Sequence, residues 1–337
     1  MKITLVTDTW APSINGVTTT LTNIVKVLQS QGHQLQIIEP SQFKTVGAPG
    51  YPEVRLSINI WRVGPMIESF RPDAIHIATE GPLGFAARWY CKVKKRNIPH
   101  NTSYHTKFPE YLNQYYGMPL DWGYWIMRQF HKFSTRVLVT TPSMKQLLTD
   151  RGFQNLEIWS RGVDRHIFNP SSRKSNVASK PILLCVSRAS IEKGLDDFCS
   201  LPTDGTKILV GDGPYLETLR NKYPNVIFAG YKHGESLAHY YANADVFVFP
   251  SRTDTFGVVM LEAMSCGTPV AAYPATGSID VIENGVNGYV DNDINAAVQM
   301  ALLCDRSQVE ISSLVYSWES CADIFLKNLT KIDPKLD

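Results

Sequence analysis

Paired cysteines, long apolar runs, phosphate-binding glycine strings and clustered metal ligands are all scarce in this chain of 337 residues. Its six cysteines (Cys91, Cys185, Cys199, Cys266, Cys304 and Cys321) show no paired spacing, which argues against both a disulfide framework and a zinc site and fits a reducing cytoplasm. No apolar run approaches the roughly 20 residues of a membrane span. The opening Met1-Lys2-Ile3-Thr4-Leu5-Val6-Thr7-Asp8 is interrupted too soon for a secretory signal and reads as a buried strand. No Gly-x-x-x-x-Gly-Lys-Ser/Thr string occurs, so phosphate-loop NTPase chemistry has no support. Gly211-Asp212-Gly213-Pro214 comes nearest to a dinucleotide fingerprint, and its proline spoils the pattern. One Asp-x-Asp string, Asp291-Asn292-Asp293, falls in an expected turn and lacks the further oxygen ligands that a divalent ion wants. No metal and no cofactor are therefore expected.

The formal net charge of +2 conceals an asymmetry: residues 1–170 hold 19 basic and 11 acidic residues, the rest 14 and 20. A basic half beside an acidic half points to an anionic partner for one domain, or simply to charge that varies between domains. Nucleic acid is not the expected partner. Short β-rich runs at 3–9, 35–39, 74–78, 101–104, 136–140 and 156–159 alternate with helical patterns, clearest at 18–31, where Leu21, Ile24, Val25 and Leu28 share a face and Gly32 stops the helix. After a polar stretch from Asn169 to Lys180, a second alternation starts, with strands expected at 182–186, 207–210, 226–229, 245–249 and 270–273. The expected fold class is α/β, with two doubly wound domains at 1–172 and 173–311 and a terminal helix within 312–337.

The string Asp254-Thr255-Phe256-Gly257-Val258-Val259-Met260-Leu261-Glu262 carries the most chemistry. It follows an apolar strand that stops at Pro250-Ser251, and it opens a helix whose first amides, at Gly257, Val258 and Val259, suit an incoming anion. Asp254 precedes the turn and Glu262 lies about two turns into the helix, so the two acids reach separate parts of a long polyhydroxylated ligand with the anion between them. Taken singly, Asp254 also reads as a helix-start residue and Glu262 as a solvated helix acid. Arg188 and Lys193, in the loop after the second half's first strand, offer two cations to a diphosphate, although loop cations are commonly solvated surface charges. Asn15-Gly16 follow the first strand, either as an ordinary strand-to-helix turn or as a close backbone approach to a phosphate. His105 follows another predicted strand, and a lone histidine is more often a structural hydrogen-bonder than a catalyst.

Strand, Pro-Ser, acid, Phe-Gly, Leu-Glu-Ala and Gly-x-Pro-Val arrive in the order of the acid-x7-acid signature, and the chain from Ile3 to about Phe325 resembles the retaining nucleotide-sugar glycosyltransferases of family 4. The family's usual first acid is Glu; Asp254 matches a subset that includes mannosyl- and sulfoquinovosyltransferases acting on lipids. The resemblance implies the GT-B fold, with two Rossmann-like domains facing across a cleft and the terminal helix crossing back to the first. It implies that Arg188 and Lys193 bind the donor diphosphate, Asp254 the sugar hydroxyls and Glu262 the ribose. Tyr231 lies where the base is held, Phe256, Gly257, Val258 and Val259 form the anion-facing turn, Asn15 and Gly16 lie at the phosphate side, and His105 contacts the donor sugar.

The acceptor side is read from residues 88–136, where Tyr115, Tyr116, Trp122, Tyr124, Trp125 and Phe130 are flanked by Lys92, Lys94, Lys95, Arg96 and Lys107 before and by Arg128, Lys132 and Arg136 after. Aromatics mixed with cations favour an anionic membrane interface, stack on sugars, or form ordinary core. The expectation is a retaining, metal-independent transferase that moves a hexose, mannose first, from GDP-mannose or a UDP-sugar to a lipid or glycan acceptor at the cytoplasmic membrane face. The rival is a non-catalytic nucleotide-sugar-binding or membrane-adaptor protein on the same scaffold.

Overall fold

A computed structural model describes residues 1–13, 15–48, 51–94, 97–173 and 181–333. Ile14, Lys95, Arg96 and residues 174–180 of the expected linker lie outside the described residues, as do the side chains of Lys94 and Tyr115. The strands are β1 (Lys2–Val6), β2 (Gln34–Ile38), β3 (Thr45–Ala48), β4 (Tyr51–Ser57), β5 (Ala74–Ile77), β6 (Asn101–Tyr104), β7 (Arg136–Val139) and β8 (Leu156–Ile158), then β9 (Ile182–Val186), β10 (Thr206–Val210), β11 (Ile227–Gly230), β12 (Val246–Phe249), β13 (Val270–Ala272) and β14 (Gly288–Val290).

The chain divides into one unit of Met1–Ser160 plus Trp318–Asp337 and a second of Arg161–Ser317. The first contains an all-parallel sheet in the order β2-β1-β5-β6-β7-β8, plus the antiparallel hairpin β3-β4. The second contains an all-parallel sheet in the order β11-β10-β9-β12-β13-β14. Both orders are those of doubly wound Rossmann-like folds. In the second unit, Leu184, Val186, Phe247 and Phe249 enter one apolar cluster, while Leu183, Cys185, Val246 and Val248 enter another. Successive strand residues point to opposite faces, so a continuous apolar run is what a sheet covered on both sides requires.

The unit boundaries fall at 160/161 and 317/318, whereas the sequence pattern set them at 172/173 and 311/312. Packing explains the first difference. Val163 and Phe168 are buried in the second unit's core, Phe168 lies edge-on to Tyr241 at 5.9 Å, and Ser265 Oγ donates to the Phe168 carbonyl at 2.6 Å. The terminal helix expected within 312–337 is Trp318–Asn328, in the first unit, and a separate helix, Arg306–Ser312, lies before it in the second. Trp318, Cys321 and Phe325 join Ile3, Leu5, Leu21 and Trp159 in the first unit's core. Trp159 Nε1 donates to the Cys321 carbonyl at 3.0 Å, and Asn101 Nδ2 donates to the Asn328 carbonyl at 2.9 Å.

The terminal helix is thus part of the first unit's core. Phe325→Ala should cost about 3–5 kcal/mol, the usual range for emptying a buried aromatic site. In a calorimetric scan the first unit's transition should shift down and the second's should stay; equal shifts, or none, would contradict this packing.

Candidate functional site

In the second sheet the chain winds outward in both directions from β9 and β12, so the loops leaving these neighbouring strands diverge and open a crevice at the carboxyl edge. The loop after β9 carries Arg188 and Lys193; the loop after β12 carries Asp254 and ends in the helix Val258–Ser265. Arg188 is exposed. Lys193 Nζ lies 2.7 Å from Asp254 Oδ1, an ion pair of two mostly shielded side chains.

The backbone holds these groups close. Gly194 has φ of 65°, and a Cβ there would meet the Pro250 carbonyl oxygen at 2.7 Å, so the two loops approach too closely for any other residue. Thr253 Oγ1 donates to the Glu192 carbonyl at 3.4 Å, and Thr276 Oγ1 donates to the Asp254 carbonyl at 3.3 Å. Beside them, Arg252 donates to Asp197 Oδ2 at 2.7 Å, with its guanidinium 3.5 Å from the centre of the Tyr273 ring. Gly257 caps the helix with φ of 86°, where a Cβ would lie 2.8 Å from the Phe249 ring. The first-turn amides of Val258 and Val259 have no acceptor within the helix and can donate to an incoming anion. Phe256 is buried in the core 6.3 Å from the Tyr316 ring, so its side chain anchors the turn.

Glu262 lies farther along this helix and accepts from Tyr241 Oη at 2.8 Å. Burial pushes its carboxyl up to about 7, while the Tyr241 hydrogen bond pulls the other way. Burial and the neighbouring Glu262 together hold the Tyr241 hydroxyl well above its ordinary range. Tyr231 follows β11, two strands from β9, hence about 10 Å along the sheet edge. It is exposed and stacks on His233, with ring centres 5.8 Å apart. Asp291 and Asp293 turn to backbone: Asp291 Oδ1 accepts from the Asp293 amide, and Asp293 Oδ1 from the Asn295 amide. Among the described residues no group of His, Cys, Asp or Glu is arranged to hold a metal ion.

In the first unit the corresponding reversal lies between β1 and β5. Asn15 caps the helix Gly16–Ser30: its Oδ1 accepts from the Thr18 amide at 2.9 Å and its Nδ2 donates to Thr9 Oγ1 at 2.9 Å. The asparagine side chain therefore shapes the turn, while Gly16 has no atom within 4 Å of the place a Cβ would take. Asp8 accepts from the Leu83 and Gly84 amides, and burial raises its carboxyl despite those bonds. His105 is buried after β6, edge-on to Trp159 at 5.7 Å.

The aromatic-basic segment splits between core and surface. Tyr124 and Phe130 are buried, whereas Trp122 and Trp125 are 70% and 55% exposed on the helix Leu120–His131. Exposed Phe133 follows, with Lys92 Nζ 4.2 Å and the Arg88 guanidinium 5.1 Å from its ring centre, and Trp89 is also exposed. Among the described residues no helix is long and apolar enough to cross a membrane.

The cations and both acids are legible in the sequence because each sits in a local string. Tyr241, Thr276 and the Arg252–Asp197–Tyr273 cluster are joined to that region only through the fold and leave no local signal.

Comparison with known proteins adds an independent line. A model described as Glycosyltransferase Family 4 matches residues 14–166, and one described as Glycosyl transferases group 1 matches residues 180–303. The chain is 29% identical over 315 residues to a GDP-mannose-dependent alpha-mannosyltransferase of Corynebacterium glutamicum, covering 86% of this chain and 76% of that one. It is 31% identical over 337 residues to the sulfoquinovosyl transferase SQD2 of Arabidopsis thaliana, covering 88% and 66%. Its fold matches sucrose-phosphate synthase from Thermosynechococcus elongatus with a TM-score of 0.76 at 20% identity, over 97% of each chain.

The raised Glu262 carboxyl has a measurable consequence. The unfolded chain gives up this proton near 4.5, whereas the folded protein keeps it to about 7, so stability is drawn down as pH rises through that window. Glu262→Gln should therefore raise stability at pH 8 by about 1–3 kcal/mol and change it little at pH 4.5. Denaturant titrations at the two pH values check this; equal effects at both would show that the carboxyl is not held against its charge.

Proposed function

The chain belongs to the group 1 glycosyltransferases of Family 4, and from that premise we propose that it is a retaining, metal-independent hexosyltransferase working at the cytoplasmic membrane face. That the chain is a glycosyltransferase using nucleotide sugars is the premise; the sugar, the stereochemistry, the acceptor and the residue roles are the proposal. The observation that carries it is the Lys193–Asp254 pair joining the two loops that leave the β9/β12 reversal, with Arg188 on the same loop as Lys193 and the Gly257–Val259 turn on the same loop as Asp254.

In this reading the bond between the anomeric carbon and the diphosphate oxygen breaks, and the acceptor oxygen bonds to the same face of that carbon. The acceptor proton passes to the departing phosphate oxygen. Negative charge grows on the diphosphate as it leaves, and this reading assigns its electrostatic stabilisation to Arg188, Lys193 and the Gly257–Val259 amides. These groups supply the countercharge that a divalent ion supplies elsewhere, so the proposal assigns no metal and no other cofactor. Asp254 takes sugar hydroxyls, Glu262 the ribose and Tyr231 the base. In the first unit, Gly16 and His105 are assigned to substrate contact, with Asn15 shaping the turn before Gly16.

GDP-mannose is the first donor proposed, in keeping with the name of the Corynebacterium relative, and a UDP-sugar the second. A lipid or glycan acceptor at an anionic membrane is supported by exposed Trp89, Trp122, Trp125 and Phe133 interleaved with Arg88, Lys92 and Lys132. Aromatic bodies insert at an interface while cations meet anionic headgroups.

The test offers labelled GDP-mannose, UDP-glucose and UDP-galactose with anionic vesicles containing diacylglycerol or phosphatidylinositol, in the presence of a chelator. Label should enter the lipid phase in the α configuration, and Arg188→Ala should lower kcat/KM by about 30- to 1,000-fold. A β-linked product, loss of transfer with the chelator, or near-normal turnover by Arg188→Ala would each overturn its part of the reading.

A further inference from the structure

The Glu262 carboxyl is held by a side chain that the second unit's core fixes in place. Tyr241, on the helix Gly234–Asn243, is fully buried. Its ring meets Phe247 edge-on at 5.5 Å and Phe168 edge-on at 5.9 Å, and its backbone carbonyl accepts from Thr268 Oγ1 at 2.6 Å. Arg306 fastens the end of the same helix, donating to the Ala242 carbonyl at 3.0 Å and the Ala244 carbonyl at 2.7 Å. The Tyr241 hydroxyl is therefore a fixed point, and it donates to Glu262 Oε2 at 2.8 Å. Among the described residues no hydrogen bond takes the other oxygen, Oε1, and Glu262 keeps part of its surface open where Tyr241 has none.

Glu262 stands four residues after Val258, so both lie on one face of the helix Val258–Ser265, about 6 Å apart along its axis. Side chains on a helix lean toward its start, which brings the Glu262 carboxyl back toward the turn assigned to the diphosphate. In a nucleotide the ribose is the group next to the diphosphate. We propose that Tyr241 is a positioning residue for the donor's ribose: by holding Oε2 it keeps Glu262 in one orientation, with Oε1 left to accept from a ribose hydroxyl. The inference rests on the donor reading given above, which assigns the ribose to Glu262.

Two effects follow from the hydroxyl of Tyr241. A glutamate side chain is rich in rotamers, and a carboxylate already held at one oxygen loses less freedom when a ligand arrives. The same bond opposes burial in setting the Glu262 carboxyl, so without it the acid keeps its proton to higher pH. A neutral acid accepts a hydroxyl less strongly than a carboxylate does. Both effects fall on the bond to ribose and leave the base and the diphosphate untouched. Tyr241 has no exposed surface with which to touch a ligand, so it acts through Glu262 alone.

Calorimetric titration at pH 8 tests this, with GDP and UDP beside their 2′-deoxy and 3′-deoxy forms. The proteins are wild type, Tyr241→Phe, Tyr241→Met, Glu262→Gln and the double variant Tyr241→Phe/Glu262→Gln, each checked for folding by thermal unfolding. Tyr241→Met removes the same hydroxyl and serves if Tyr241→Phe does not fold. Wild type should bind the ribonucleotide about tenfold or more tightly than at least one deoxy form, as a hydrogen bond to a charged group allows. Tyr241→Phe should cut that preference to about threefold or less by weakening the ribonucleotide and leaving the deoxy form as in wild type. On the Glu262→Gln background the same substitution should change the preference no further. A preference kept by the folded Tyr241 variants, equal weakening of both forms, or a further loss on the Glu262→Gln background would overturn the positioning role and leave the donor reading standing. A wild-type protein that binds nucleotide without preferring the ribose form would overturn the assignment of ribose to Glu262, and the positioning role with it. Failure of wild type to bind any of these nucleotides would overturn the donor reading itself.

Discussion

The reversal of winding between β9 and β12 is the constraint on which the second unit's chemistry depends. A parallel sheet sends every loop at its carboxyl edge the same way, but only where successive crossovers part do two adjacent loops diverge and leave a crevice. The loops at that point hold two cations, a carboxylate and a helix start within a few residues of one another. Their closeness is enforced by backbone, through a glycine that admits no side chain against the Pro250 carbonyl and through threonine hydroxyls that tie one loop to the next. The buried strands behind them, apolar on both faces, give those loops a rigid base.

Charge in this region is arranged against its own ease. Lys193 and Asp254 are mostly shielded from solvent and lie 2.7 Å apart as an ion pair. Glu262 is held by burial with its carboxyl raised to about 7, steadied by Tyr241. A folded protein that keeps an acid in such surroundings gives up stability for a ready group, a common feature of functional sites and one that apolar packing elsewhere must offset.

Much of the fold was legible because it rests on local pattern. The strand at 182–186 was read with the bounds that β9 has, since a short apolar run of Ile, Leu and Val between turn residues has few other uses. The hairpin β3-β4 escaped because Pro52 and Gly47 interrupt its alternation, and β14 because it is three residues long and opens on a glycine. The unit boundary was misplaced because polarity marks where a chain meets solvent, whereas Val163 and Phe168 had already entered the second core. The terminal helix was begun too early, near residue 312, because polar Ser312 and Ser313 do not reveal that the chain leaves the second unit only at 317/318, where the helix Trp318–Asn328 starts. Within the site, the cations and acids were visible as residue types in order. The bonds of Lys193 to Asp254 and of Tyr241 to Glu262 join positions 61 and 21 residues apart and depend on the folded sheet.

Hydrogen exchange of the backbone amides, with and without a bound nucleotide sugar, tests most directly whether the donor sits at the β9/β12 reversal. Slowed exchange concentrated in residues 187–194 and 251–260 is the result this account predicts. Saturating nucleotide sugar that leaves both segments exchanging as in the free protein would contradict it.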